Sequence, residues 1–285
     1  MNLFFRKPRP ESGLTLVIGA TGKTGSRVAE RLTSKGVPIR LGSRSATPSF
    51  DWLKDSSWDA CLKGVENVYI SYSGELAVAD ASDTIHAFTR KAKRYGVKRA
   101  VLLTGRGEDE ALLSELALQN SGLIWTIIRA AWFNQNFSEG AFADLVEAGQ
   151  ITLPAANTAE PFVDADDIAD VAVAALTENG HSGQIYEVTG PRLMTFADVA
   201  SELSAAIGRE IEFQDVPHDA FISGVEDSGA PHEVLWLLDY LFTTILDGRN
   251  AYLADGVERA LGRPPKDFSD YAHEFAASRL WGAVA

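Results

Sequence analysis

Leu14-Thr15-Leu16-Val17-Ile18-Gly19-Ala20-Thr21-Gly22-Lys23-Thr24-Gly25 decides the fold of this chain. The apolar run from Leu14 to Ile18 has the character of a strand buried on both faces. It passes directly into a glycine-rich turn. Val28, Ala29 and Leu32 then recur on one face of a helix that Gly36 ends. Strand, glycine turn and helix in this order form a phosphate cradle. The glycines allow a tight turn and a close backbone approach, and the helix N-terminus adds partial positive charge. The spacing is G-x-x-G-x-x-G. Gly22-Lys23-Thr24 lacks the opening glycine of a P-loop, which disfavours ATP hydrolysis.

Outward from this unit, strand and helix patterns alternate. Strands are expected at Pro38–Leu41, Ser49–Trp52, Val65–Ile70, Arg99–Leu103 and Ile124–Ile128, with helices at Trp58–Leu62, around Ile85, Phe88, Ala92 and Tyr95, and at Ala111–Gln119. Repeated alternation of this kind predicts a Rossmann-type α/β fold, a doubly wound parallel sheet with helices on both faces, over residues 13–155. Residues 156–285 are expected to form a smaller, mostly helical substrate region interleaved with the first. It would contain a helix at Ala165–Leu176, strands at Gln184–Val188 and Glu210–Phe213, and a helix at Phe196–Ile207 capped by Thr195. Pro231 opens an apolar stretch through Leu246 whose apolar residues wrap most of the circumference, which predicts a helix buried on more than one side. Phe268–Leu280 reads as a terminal helix.

Composition narrows the function. The 285 residues carry 26 Lys and Arg against 39 Asp and Glu, a net charge of −13, so a phosphate-backbone partner is disfavoured. The single cysteine, Cys61, rules out an intramolecular disulfide and a cysteine metal cage, and a core position suits it. The five histidines form no ligand pair, so no metal is expected. The apolar part of Met1–Pro10 is too short for a secretory signal, and no run is long enough to span a bilayer. A cytoplasmic protein, monomeric or homodimeric, is expected.

The end of the second strand selects the cofactor. An acid there would bind the ribose 2′-hydroxyl of NAD. Instead Ser43, Arg44 and Ser45 offer a guanidinium between two hydroxyls, which suits the 2′-phosphate of NADP. NADPH is therefore expected over NADH. The Tyr-x-x-x-Lys pair of standard short-chain dehydrogenases, which protonates a carbonyl oxygen, is missing; Tyr95 has Arg99 at that offset and lies in a turn.

The chain resembles the NmrA-like, atypical short-chain dehydrogenase/reductase family. The resemblance is carried by Gly19–Gly25, by Trp125–Arg129 followed by Trp132–Phe137, by Pro161–Ala169 and by Tyr186–Pro191. Gly22-Lys23-Thr24, Gly42–Ser45, Phe50–Leu53 and Trp58 are similar to the festuclavine synthase/agroclavine dehydrogenase branch of ergot alkaloid biosynthesis, which reduces an iminium with NADPH. The resemblance implies that Gly19, Thr21, Gly22, Lys23, Thr24 and Gly25 line the pyrophosphate. It places Asp51 and Trp52 near the adenine. Ser71, Tyr72 and Ser73 would lie at the carboxyl end of their strand, where ligands of such sheets bind, and Thr104 and Gly105 would flank the nicotinamide ribose. Trp132, Phe133, Asn134 and Phe162 would form the substrate wall. Tyr72 and Thr104 are the candidate catalytic residues.

An iminium carbon accepts hydride without an acid, so the missing Tyr-Lys pair fits a reductase of a cyclic imine or iminium, an enone or a quinone. A flat or cationic small molecule would suit the aromatic wall. The alternative from another class is a non-catalytic NADP(H)-binding redox sensor of the NmrA type. A sugar-nucleotide epimerase also wants the Tyr-Lys pair and is disfavoured.

Overall fold

The computed structural model describes residues 13–72, 80–140, 142–155 and 157–278. In chain order the elements are β1 (Thr15–Ile18), α1 (Lys23–Ser34), β2 (Ile39–Gly42), α2 (Trp58–Leu62), β3 (Asn67–Ile70), α3 (Ala81–Arg94), β4 (Arg99–Gly105), α4 (Ala111–Gln119), β5 (Ile124–Ala130), α5 (Ala143–Ala148) and β6 (Gln150–Leu153). They continue with α6 (Ala165–Thr177), β7 (Gln184–Val188), α7 (Phe196–Ile207), β8 (Glu212–Asp215), α8 (His218–Asp227), α9 (His232–Tyr240), α10 (Gly256–Leu261) and α11 (Phe268–Ser278).

Six strands form one sheet in the order β2-β1-β3-β4-β5-β7, every pair parallel. The central strands are apolar throughout because both faces are covered. One face packs Leu16, Val68 and Leu102 against Ile85, Phe88 and Leu118 of α3 and α4. The other packs Val17, Tyr69 and Val101 against Val28 and Leu32 of α1 and Ile168 and Ala172 of α6. This is the Rossmann-type α/β architecture that the alternating pattern predicts. The chain winds outward from β1 in both directions, so the sheet reverses where β1 lies between β2 and β3. Ligands of such sheets bind in the crevice outside the strand ends at a reversal of this kind.

The last strand of this sheet, β7, and the covering helix α6 both come from beyond residue 155. A third core gathers Phe137, Phe142, Phe162, Phe196, Phe268 and Tyr271 under β6 and β8, a separate parallel pair. Asp164 caps α6, its carboxylate accepting from the backbone N–H of Asp166 at 2.8 Å. Thr195 and Asp198 form a reciprocal capping box at the start of α7.

Four sequence expectations are corrected. Ser49–Trp52 is not a strand: Phe50 and Trp52 are buried, but in a folded-back loop whose Phe50 N–H donates to the Ser43 carbonyl at 2.9 Å. Aromatic clustering with Trp58 and Phe88 produces the alternating burial. The strand expected at Glu210–Phe213 runs from Glu212 to Asp215. Tyr95 is not on the buried face of α3; it follows the helix and is 40% exposed. The apolar stretch after Pro231 is not a buried helix. No residue of α9 is buried, and only its continuation, a π-helical turn over Leu241–Ile245 followed by Leu246, buries Phe242, Ile245 and Leu246.

Residues 1–12, Ser73 and Leu280 lie outside the described residues. Cys61 is a free, fully buried core residue, and burial raises its thiol pKa. No described helix is long and apolar enough to cross a membrane, and no cluster of metal-ligating side chains occurs among the described residues.

Candidate active site

Parallel pairing puts the carboxyl ends of β1, β3, β4 and β5 on one side of the sheet, where Gly19, Ser71, Gly105 and Ala130 follow or end their strands. The glycine turn closes the first of these ends. Gly19 has φ +74°, a conformation that favours glycine, and a Cβ there would come 3.0 Å from the Cβ of Ser71. A Cβ on Gly25 would come 2.1 Å from the Gly19 carbonyl oxygen, so only glycine lets α1 start this close to β1. The Gly22 N–H donates to that same carbonyl at 2.9 Å. Gly22 supplies no side-chain cap to α1, and the first turn holds no acid. A helix start of this kind is suited to an external anion.

Lys23 is half-buried over Gly140, and its pKa is lowered by burial, and further by Arg27, against the opposing influence of Glu139. Thr24 turns inward: its hydroxyl is buried and accepts a 2.9 Å hydrogen bond from Tyr69. Arg44 and Ser45 are exposed past the end of β2, and the hydroxyls of Ser43 and Ser45 lie 3.2 Å apart. Asp51 accepts the Leu53 N–H at 3.0 Å, closing a turn. Trp52 is buried against Phe50 and Phe88, with Tyr72 5.0 Å away, so it backs Tyr72 from inside the core.

A cleft of about 340 Å³ runs from this turn across the strand ends. It brings together seven of the sequence-predicted residues: Lys23, Ser71, Tyr72, Thr104, Gly105, Trp132 and Phe133. Thr104 is buried and donates to Glu115 at 3.0 Å. Arg129 grips the same carboxylate through two nitrogens at 2.8 and 2.6 Å. Glu115 is thus an anchor for Arg129 and Thr104. Trp132 is held by parallel stacking on Phe142 at 6.1 Å and by the edge of Phe196 at 5.7 Å. It is a stiff wall.

Two predicted wall residues do not reach the cleft. Asn134 is fully buried, its backbone N–H donating to Val163, and Phe162 packs among Phe137, Phe196 and Phe268.

The sequence reading missed several cleft residues. Arg106 is 3% exposed; it donates to the carbonyls of Asn250 and Tyr252 at 3.0 and 2.9 Å and lies 3.8 Å over the Tyr252 ring. The Asn250 side chain donates back to the Arg106 carbonyl at 3.1 Å. This clasp pins the loop after the π-helical turn, from which Leu241 and Ile245 line the cleft. Glu160 also lines it. It is fully buried, and burial pushes its pKa up to about 7, with Asp247 adding to the rise and Arg106 opposing it. Glu160 directly precedes the Pro161–Ala169 segment, but an isolated Glu gives no sign of burial in sequence.

No family model matches the chain. It is 30% identical over 286 residues to the NAD(P)H azoreductase of Xenophilus azovorans, covering 93% of this chain and 99% of that one. It is 30% identical over 283 residues to festuclavine synthase II of Penicillium roqueforti, covering 91% and 97%. In fold it matches the NADPH-dependent quinone oxidoreductase of Escherichia coli, crystallised with NADPH, with a TM-score of 0.76 at 20% identity over 92% of this chain and 99% of that one. The chain belongs to the NmrA-like, atypical short-chain dehydrogenase/reductase family.

Proposed function

We propose that this protein is an NADPH-dependent reductase of an activated small-molecule acceptor, a cyclic imine or iminium foremost, or an enone or quinone. One observation carries the reading. A glycine cradle that any Cβ at Gly25 would fill, at the end of β1 beside the reversal of the sheet, and a stiff aromatic wall at Trp132, past the end of β5, lie on the same carboxyl side of the sheet and are joined by one cleft that Lys23 and Trp132 both line. Ligands of such sheets bind there.

NADPH supplies a hydride when bound. The backbone of Gly19, Thr21 and Gly22 and the first turn of α1, with Lys23, would hold the pyrophosphate, while Thr24 ties the turn to β3. Arg44 between Ser43 and Ser45 would hold the 2′-phosphate. Asp51 keeps one carboxylate oxygen for the adenine, and Ser71 and Gly105 would flank the nicotinamide ribose. Trp132 and Phe133 orient a flat acceptor and exclude water from it. An iminium needs no proton to take a hydride; a quinone or enone does, and Tyr72 is the cleft tyrosine that could donate it. Relatives named for azo and quinone reduction support electron-poor acceptors.

The test is direct. Calorimetry should register NADPH uptake, and absorbance at the nicotinamide band should fall with cyclic iminium ions ahead of quinones and enones. No uptake of NADPH overturns the reading. Tight uptake with no oxidation by any acceptor class would favour the redox sensor instead.

A further inference from the structure

We propose that Glu160 is the specificity-determining residue of the acceptor end of the cleft, its carboxylate pairing with the nitrogen cation of a flat cyclic iminium or amine. This rests on the reductase reading for its biological setting and on the structure for its chemistry. Glu160 is fully buried, lines the cleft with Trp132 and Ile245, and neither of its carboxylate oxygens has a hydrogen-bond partner among the described residues. A buried charge of this kind is costly unless something pairs with it. The nearby cation does not do so: the guanidinium of Arg106 is committed to the carbonyls of Asn250 and Tyr252 and to Glu187. No hydrogen bond holds the Glu160 carboxyl in place, so turning it toward a ligand sacrifices none.

The chemistry of the surroundings selects the ligand. A neutral acceptor would leave the carboxyl unpaired, whereas a cation would satisfy it and lie against the face of Trp132. An uncharged cyclic imine reaches the same state by taking the proton of the Glu160 carboxylic acid onto its nitrogen, leaving an iminium–carboxylate pair. Once hydride has reached the carbon, the product is a neutral amine, and the carboxylate recovers its proton from solvent. The other titratable groups around this space are Lys23, Tyr72, Arg106 and Glu108 in the cleft wall and Asp247 beside it. Of these, Lys23 is at the glycine-turn end.

The test uses the protein without coenzyme, so that turnover plays no part. N-methyl-3,4-dihydroisoquinolinium is a permanently charged flat probe, and α-tetralone is an uncharged analogue of similar shape. Calorimetry should show the cation binding ~10- to 100-fold tighter than the ketone, the range of a charge-assisted contact. Glu160→Gln should cut that preference to the few-fold that the face of Trp132 supplies. In the wild-type protein, affinity for the cation should climb as pH rises through about 7 and then level off, while affinity for the ketone does not. This second measurement stands even where the variant folds poorly. Equal affinity for the two probes, no binding of the cation, a preference undiminished in Glu160→Gln, or a flat pH profile would each overturn the assignment. NADPH uptake, measured on the same preparations, is independent: its absence sinks the reductase reading and leaves the cation preference standing.

Discussion

The hydroxyl of Tyr69, at the centre of β3, donates a 2.9 Å hydrogen bond to the hydroxyl of Thr24 in the first turn of α1. Both residues are buried, and the Tyr69 pKa is raised by burial, so the phenol is a proton donor throughout the physiological range. The bond ties the glycine turn to the middle of the sheet. Tyr69→Phe should cost about 1–2 kcal/mol in a urea unfolding experiment, because it leaves the Thr24 hydroxyl without its donor. NADPH affinity should fall by less than Arg44→Ala causes. An unchanged unfolding midpoint would mean the bond is not holding the turn.

Arg44 is exposed and sits beyond β2, so its removal should leave the fold intact. Arg44→Ala is expected to weaken NADPH binding ~10- to 100-fold and NADH binding little, in line with one charge-assisted contact to the 2′-phosphate. Titrating both coenzymes by calorimetry checks this, and equal losses for the two would refute the assignment.

Glu115 is 2% exposed and carries Arg129 on two hydrogen bonds and Thr104 on a third. Glu115→Ala should destabilise the protein by about 3 kcal/mol, since it removes both short hydrogen bonds of a partly buried guanidinium and leaves Arg129 its longer 3.5 Å contact with Glu187. Glu115→Gln keeps the shape and should recover part of that loss. If Glu115 were instead a proton donor in the reaction, Glu115→Gln would abolish turnover while leaving the thermal midpoint near wild type.

Glu160 predicts an unusual pH dependence of stability. Its folded-state pKa is pushed up to about 7 by burial, above that of a carboxyl in the unfolded chain. Between the two values the folded form holds a proton that the unfolded chain has released, so this group's contribution to stability is full at low pH and falls as pH rises toward 7. The loss amounts to roughly 3 kcal/mol. Urea midpoints compared at pH 5 and pH 8 should show wild type losing more than Glu160→Gln does. Parallel losses in the two proteins would mean that Glu160 ionises normally.

Much of the sheet was legible locally. Leu14–Ile18, Arg99–Leu103 and Ile124–Ile128 are short apolar runs, and both faces of a central parallel strand demand that composition. The helices expected at Trp58–Leu62, Ala111–Gln119 and Phe196–Ile207 fall at those bounds, the last with Thr195 as its cap. Ser49–Trp52 failed because burial of Phe50 and Trp52 comes from Phe88, remote in sequence, and from Trp58, whose indole donates to the Asp51 carbonyl at 2.8 Å across the loop. The stretch after Pro231 failed for the opposite reason. Its apolar residues outnumber the surface available to cover them, and Val234 and Trp236 stay 40% and 38% exposed.

The sequence by itself determined the strand–glycine turn–helix unit, the parallel alternation and the cationic end of β2, because each depends on neighbours within a few residues. Tertiary structure alone brought Arg106, Asn250 and Glu160 to the cleft beside Trp132 and Phe133. Arg106 meets Asn250 across 144 positions of chain, and Glu160 is stripped of water by elements that are distant in sequence. Burial of a charge is a property of everything packed around it, and no local pattern encodes that.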